Sequence, residues 1–206
     1  LEAKRSKVRN MADHFPTTAS TDFAAGNILV AHPGSRLSGI FDRSVALITE
    51  NFQGNITGLV LNKQLHITEA DLLKQHGITP EPGRTAPVYC GGPVNSNNLI
   101  LLHTSEWRST NTMQINQHLS ISSDTNMLSR MAVGRQPRQY RWIAGVSGWA
   151  PGQLAQEAYG HGRWQEPQWI KLETDVTQSV LWNTPHNVLW MRSVESYSKS
   201  IVDHWI

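Results

Sequence analysis

A chain of 206 residues, 39% hydrophobic and 17% charged, with 15 Gly and 10 Pro, can build one core, and this composition excludes collagen-like, coiled-coil and disordered classes. Its formal charge of +2 comes from the leader, where Lys4, Arg5, Lys7 and Arg9 face only Glu2, while 14 basic residues stand against 15 acidic ones from Met11 onward. The charge that would suggest nucleic-acid or membrane partners is thus confined to ten residues.

Met11-Ala12 reads as a translation start, making residues 1–10 a vector or upstream remnant; the other reading is a basic tail that touches nucleic acid or acidic lipid. Residues 1–26 as a whole read as a flexible N-terminal arm, small and polar beyond Met11, and residues 27–206 as the folded domain. Short branched apolar runs at 28–31, 45–48 and 59–61, bounded by Gly, Pro, Asp and Asn, predict buried strands. Thr68 with Asp71 predicts a capped helix over 69–76, stopped by Gly77. Strands are predicted at 88–90, 99–103 and 117–121. Ser123 is expected to cap a helix over 124–133 with Leu128, Met131 and Ala132 inward. A strand over 140–146 and a helix over 151–159, with Pro151 in its first turn, follow. Trp169 to Leu172 predicts a last strand, and a closing helix from Thr184-Pro185 carries Trp190, Val194, Tyr197 and Ile201 on one stripe. Strands and helices mix without strict alternation, so the fold class is a single α+β domain. The lone Cys90 and the lack of a long apolar run predict a cytoplasmic protein with no membrane association.

Familiar chemistry is missing from the sequence. There is no G-x-x-x-x-G-K-[ST] phosphate loop, Gly160-His161-Gly162 lacks the third glycine of a dinucleotide fingerprint, and the nine histidines have no metal-ligand spacing. No metal and no cofactor are therefore expected.

Four segments carry the information: F-D-R-S-V at 41–45, G-L-V-L-N-K at 58–63, V-Y-C-G-G-P-V at 88–94 and G-V-S-G-W-A-P-G-Q-L at 145–154. In this order and separation they resemble the AlgH/YqgE family of small bacterial proteins, over roughly Ala25 to Trp190. The resemblance implies a mixed split sheet curled into a partial barrel with flanking helices, a cytosolic protein, and an indirect link to transcriptional control. It implies no reaction. The chain departs from the family pattern at Lys63, where many members carry arginine, at Ala155, where an acidic residue is usual, and at Asn51, where histidine is usual.

Each candidate has two readings. Gly91-Gly92 forms either an anion-binding concavity of backbone N–H groups or a sharp turn needing positive φ. Asn62 and Lys63 either converge on a pocket or serve their own turn. Arg43 clamps an anion or pairs with Asp42 or Glu50. Trp149 stacks on a ligand ring or seals a turn, beside Gln153 and Glu157, which lie one helical turn apart. His103 is a general base or a satisfied core histidine, and Cys90 a reactive or a buried thiol. Arg130, Arg135, Arg138 and Arg141 contact phosphates or make a solvated face, the latter favoured because aromatic interleaving and a helix-turn-helix are lacking. Trp164 and Trp205 are candidate exposed anchors.

Three functions follow. The first is a non-enzymatic binding or regulatory protein, its site formed by Arg43, Asn62, Lys63, Gly91, Gly92, Trp149, Gln153 and Glu157, its partner a small molecule or a protein. The second is an enzyme acting on a small anion through His103, with or without Cys90. The third, least favoured, is a DNA-binding regulator.

Overall fold

A computed structural model describes residues 22–172 and 181–205. The leader, the arm up to residue 21 and the Trp205 side chain lie outside the described residues. Ten strands form one curled sheet: β1 (Ile28–Ala31), β2 (Val45–Phe52), β3 (Asn55–Val60), β4 (Gln64–Thr68), β5 (Pro87–Cys90), β6 (Val94–Thr104), β7 (Met113–Gln114), β8 (Leu119–Ser122), β9 (Tyr140–Trp149) and β10 (Trp169–Leu172). Among the described residues four α-helices flank it: α1 (Glu69–Gln75), α2 (Thr125–Ala132), α3 (Gln153–Tyr159) and α4 (His186–Trp205). The main path runs β10-β1-β2-β3-β9-β6-β8-β7, with β5 and then β4 branching from β9. The α+β class and the curled, split sheet agree with the sequence reading.

Strand β9 is the hub, and its alternating residues explain why. Along one edge it pairs antiparallel with β6, from Tyr140 to Val146. Along the other it pairs parallel with β5 through Trp142, Ile143 and Ala144, then antiparallel with β3 through Ser147, Gly148 and Trp149. The sheet forks between these stretches, where a connection must leave one ladder and enter another. Gly145, at φ 77°, makes that bend in a region that costs other residues ~1 kcal/mol or more. Three buried clusters follow from the fork. One holds Leu47, Leu59, Leu102 and Ile143 under Leu181 and Leu189; a second holds Ile48, Val60, Trp149 and Trp169 under α3; a third holds Leu73, Trp107, Met131 and Trp142 between α1 and α2. Phe23, in the segment read as an arm, is 1% exposed and belongs to the second cluster.

Several boundaries move. The N-cap of α2 is Asp124, whose carboxylate accepts from the Met127 N–H, rather than Ser123, because the shorter Ser123 side chain instead donates to the Leu99 carbonyl. Helix α3 begins at Gln153 after Gly152 in the left-handed region, so Pro151 lies in the preceding turn. β3 starts at Asn55 and ends at Val60, and β9 runs on to Trp149. On α4, Leu189 and Ser193 are the buried residues; Trp190, Val194 and Tyr197 pack beside them, whereas Ile201 is exposed. The Thr68–Asp71 capping box of α1 forms as predicted, with both reciprocal hydrogen bonds.

Candidate functional site

The four sequence segments meet at the fork, where their glycines allow strands to approach. A Cβ on Gly91 would strike the Gly145 carbonyl and the Ile143 side chain, and one on Gly92 would strike the Val146 backbone. A Cβ on Gly58 would lie 2.9 Å from the Leu47 carbonyl and 3.1 Å from the Trp149 ring. The Gly91 N–H donates to the Ala144 carbonyl, and the Gly91 carbonyl accepts from Val60 N–H and Ser147 Oγ. The Gly91 amide is therefore spent in the fold and not offered to an anion, which corrects the concavity reading; close approach, more than turn geometry, requires glycine here.

Asn62 and Lys63 act together on one loop. Asn62 Oδ1 accepts from Val45 N–H and its Nδ2 donates to the Arg43 carbonyl, both at 2.9 Å, while Lys63 Nζ donates to the Asp42 carbonyl at 2.5 Å. Asn62 thus holds a turn 17 residues upstream and not its own. Partial burial pushes the Lys63 ammonium below its ordinary value. Arg43, exposed and at φ 46°, lays its guanidinium 5.7 Å from the Trp190 ring centre, and pairs with neither Asp42 nor Glu50.

Trp149, Gln153 and Glu157 do come together, but inward. The Glu157 carboxylate, 5% exposed, accepts from Trp149 Nε1 at 3.1 Å, Trp169 Nε1 at 2.9 Å and Gln153 Nε2 at 2.9 Å. Gln153 Oε1 in turn accepts from the Ala150 N–H. A buried carboxylate without a cation stays tolerable when several N–H groups serve it. This is a lock between β9, α3 and β10, so a ligand-stacking role for Trp149 is not supported.

The catalytic candidates disperse. His103 is fully buried, edge-on to Trp107 at 5.0 Å. Its Nδ1 lies 3.0 Å from the Thr104 carbonyl, which can only accept, so Nδ1 carries the proton and Nε2 accepts from Ser122 Oγ at 3.0 Å; Thr112 donates to Ser122 at 2.7 Å. Burial lowers the His103 pKa. The residue is a satisfied core histidine, and the general-base reading fails. Cys90 aligns with Ala144 and His103 with Tyr140 across opposite edges of β9, about 13 Å apart along the strand. They form no dyad. The arginine-rich stretch also breaks up: Arg135 and Arg138 are exposed, Arg130 covers the Trp107 ring at 4.6 Å, and Arg141 is buried. Trp164 is half-buried under Arg163.

Arg141 is the residue that the sequence reading put on a solvated face and that the fold draws inside. At 8% exposure, its Nη1 donates to the Leu61 carbonyl at 2.7 Å, its Nη2 to the Leu181 carbonyl at 2.5 Å and to Thr184 at 3.5 Å, and its charge lies 5.1 Å from the Tyr89 ring centre. Burial pushes its pKa down. A cleft of about 350 Å³ opens on this group, walled by Tyr89, Gln139, Tyr140, Asn183, Thr184 and His186 among others. His186 meets Tyr89 edge-on at 5.8 Å. A neighbouring polar cleft of about 450 Å³ shares Ala86 and Tyr140 and holds Glu69 and Arg84. There Tyr140 donates to Glu69 Oε2 at 3.1 Å and Arg84 stands 3.6 Å from Glu69 Oε1. Burial raises the Glu69 pKa, and burial together with Glu69 pushes the Tyr140 phenol up to about 12.

Comparison with known proteins places this geometry. A family model described as AlgH-like matches residues 28–201. A UPF0301 protein of Vibrio parahaemolyticus is 29% identical over 175 residues, covering 82% of this chain and 89% of the relative; one from Methylococcus capsulatus is 33% identical over 141 residues, covering 68% and 76%. The solution structure of the AlgH protein from Pseudomonas aeruginosa superposes with a TM-score of 0.69 at 23% identity, over 87% of this chain and 90% of that one. A crystal structure of a Corynebacterium diphtheriae protein gives 0.59 at 23% identity, over 81% and 83%. These structures share the fold. No helix among the described residues is long and apolar enough to cross a membrane.

Proposed function

The chain belongs to the AlgH-like family, and from that premise we propose that it is a cytoplasmic regulatory protein that acts by binding a small ligand, without catalysis, in the cleft beside Arg141. One observation carries the reading: a buried guanidinium and several uncommitted polar side chains wall an open cleft of about 350 Å³. That combination of a few convergent polar groups on an apolar aromatic wall is how small-molecule sites are built. The motif residues supply the scaffold, since Leu61, which receives Arg141, directly precedes Asn62. An enzymatic role loses its base with His103 enclosed in the core.

A thermal-shift screen of small metabolites against the full chain, repeated on Asn183→Ala and Gln139→Ala, tests this. Both side chains are exposed, so the fold should tolerate their loss. Hits should raise the melting temperature of the parent chain and lose most of that gain in at least one variant. Hits indifferent to both, with amide shifts mapping away from residues 183–186, would overturn the site.

A further inference from the structure

Resting on that cleft, we propose that its ligand carries an oxyanion, a carboxylate or a phosphate group, placed against Arg141 and the first turn of α4. The first support is charge. Arg141 is more than nine-tenths buried, yet its partners are three carbonyls, and no carboxylate among the described residues lies within ion-pair distance. Carbonyl dipoles hold a guanidinium in place without neutralising it, so the cleft keeps a positive potential that a bound anion relieves. A water-filled cleft would favour neither sign by itself, and the fixed cation breaks that symmetry.

The second support is the composition of the wall. The described residues lining the cleft include hydrogen-bond donors in Gln139, Asn183, Thr184 and His186, and none is acidic. The 20-residue helix α4 begins at this wall, with His186 lining the cleft and no acidic residue in its first turn to offset the positive end. The neighbouring cleft contrasts with it, since Glu69 and Glu81 give it negative groups and Arg84 is already engaged with them. An anionic group therefore belongs on the Arg141 side of Tyr140. The planar fork of arginine suits carboxylate and phosphate, whose oxygens lie in matching pairs.

The test uses phenyl phosphate, benzoate and the neutral benzamide as probes of the full chain, read by backbone amide shifts of Asn183, Thr184 and His186 and the Arg141 Nε signal. Both anions should give saturable shifts there and benzamide none, with phosphate against carboxylate deciding which oxyanion is preferred. Arg141→Lys should weaken anion binding about tenfold while keeping charge. Should that variant fail to fold, His186→Ala, at a half-buried position, should still weaken it roughly threefold. Benzamide binding as well as the anions in this cleft would overturn the anion inference and leave the cleft standing. Probes that bind without moving residues 183–186 would overturn both, and no saturable shift with either anion would overturn the inference.

Discussion

At the end of β9 the Glu157 carboxylate takes hydrogen bonds from Trp149, Trp169 and Gln153 and lines neither cleft; at its start the Arg141 guanidinium gives hydrogen bonds to three carbonyls and walls a cleft. Strand β9 thus carries one buried ionic group, Arg141, near its start and holds another, Glu157 of α3, through Trp149 at its end, and neither has a counter-ion among the described residues. The difference between them is access. Two of the donors at Glu157 are indole groups of buried tryptophans, where nothing replaces a lost acceptor, and the third is the half-buried Gln153 amide. At the other end the Arg141 guanidinium itself, and Thr184, one of its acceptors, wall the cleft. A closed network of this kind is a fold device, whereas an open one can exchange partners and so can bind.

The largest expected effect separates these ends. Glu157→Ala orphans two buried indole N–H groups and should cost about 3–4 kcal/mol, lowering the melting temperature by roughly 6–16 °C. Arg141→Met leaves its carbonyls beside an open cleft that water can enter, and should cost about 2 kcal/mol. Urea unfolding of both variants decides the order. Equal losses, or a larger one at Arg141, would mean that the cleft does not admit water and that the two ends are alike.

What could be read in the sequence followed range along the chain. The α1 capping box spans three residues, Thr68 to Asp71, and was legible in full. Strand β4 was not, because Gln64-Leu65-His66-Ile67-Thr68 alternates polar and apolar over only five positions, with two apolar residues, directly before the α1 cap. The polar cluster of Trp149, Gln153 and Glu157 was visible as helical spacing, yet its inward direction depended on Trp169, twelve residues beyond Glu157. Arg141 is the instructive miss. Grouped with Arg130, Arg135 and Arg138 it looked like surface charge, although it opens a strand that continues Trp142-Ile143. Its acceptors, Leu61 and Leu181, are 80 and 40 residues away. The available signal was an arginine inside an apolar strand run, which is seldom solvated on both faces of a central strand.

A pH titration sharpens the comparison, because the start of β9 has titratable neighbours with opposite signs. His103, opposite Tyr140, has a folded pKa below the ordinary 6.5. The unfolded chain therefore binds its proton first, and stability should fall as pH drops below about 6.5, with a slope of at most ~1.4 kcal/mol per pH unit. Glu69, bonded to Tyr140, has a folded pKa above the ordinary 4.5, so its contribution is present in acid and lost as pH rises through the folded value. His103→Gln should flatten the first slope and Glu69→Gln the second. Profiles unchanged by either substitution would remove titration from the account of this end.

The smallest effect calibrates Arg141 against a cation beside the same helix, α4, that does reach water. Arg43 stacks on Trp190, whose Nε1 donates to the Ala31 carbonyl and so fixes the ring. An exposed contact of this type contributes roughly 0.5 kcal/mol, so Arg43→Ala should cost about that. The left-handed φ of 46° adds a second effect: Arg43→Gly loses the stacking but relieves ~1 kcal/mol of backbone strain, offset by the larger unfolded-state freedom of glycine. It should therefore lie within about 0.5 kcal/mol of the parent chain. The Ala and Gly variants together separate stacking from strain in chemical denaturation. A loss at Arg43→Ala as large as that at Arg141→Met would show that burial adds nothing to what a guanidinium contributes beside α4, and the contrast between the enclosed and the exposed cation would fail.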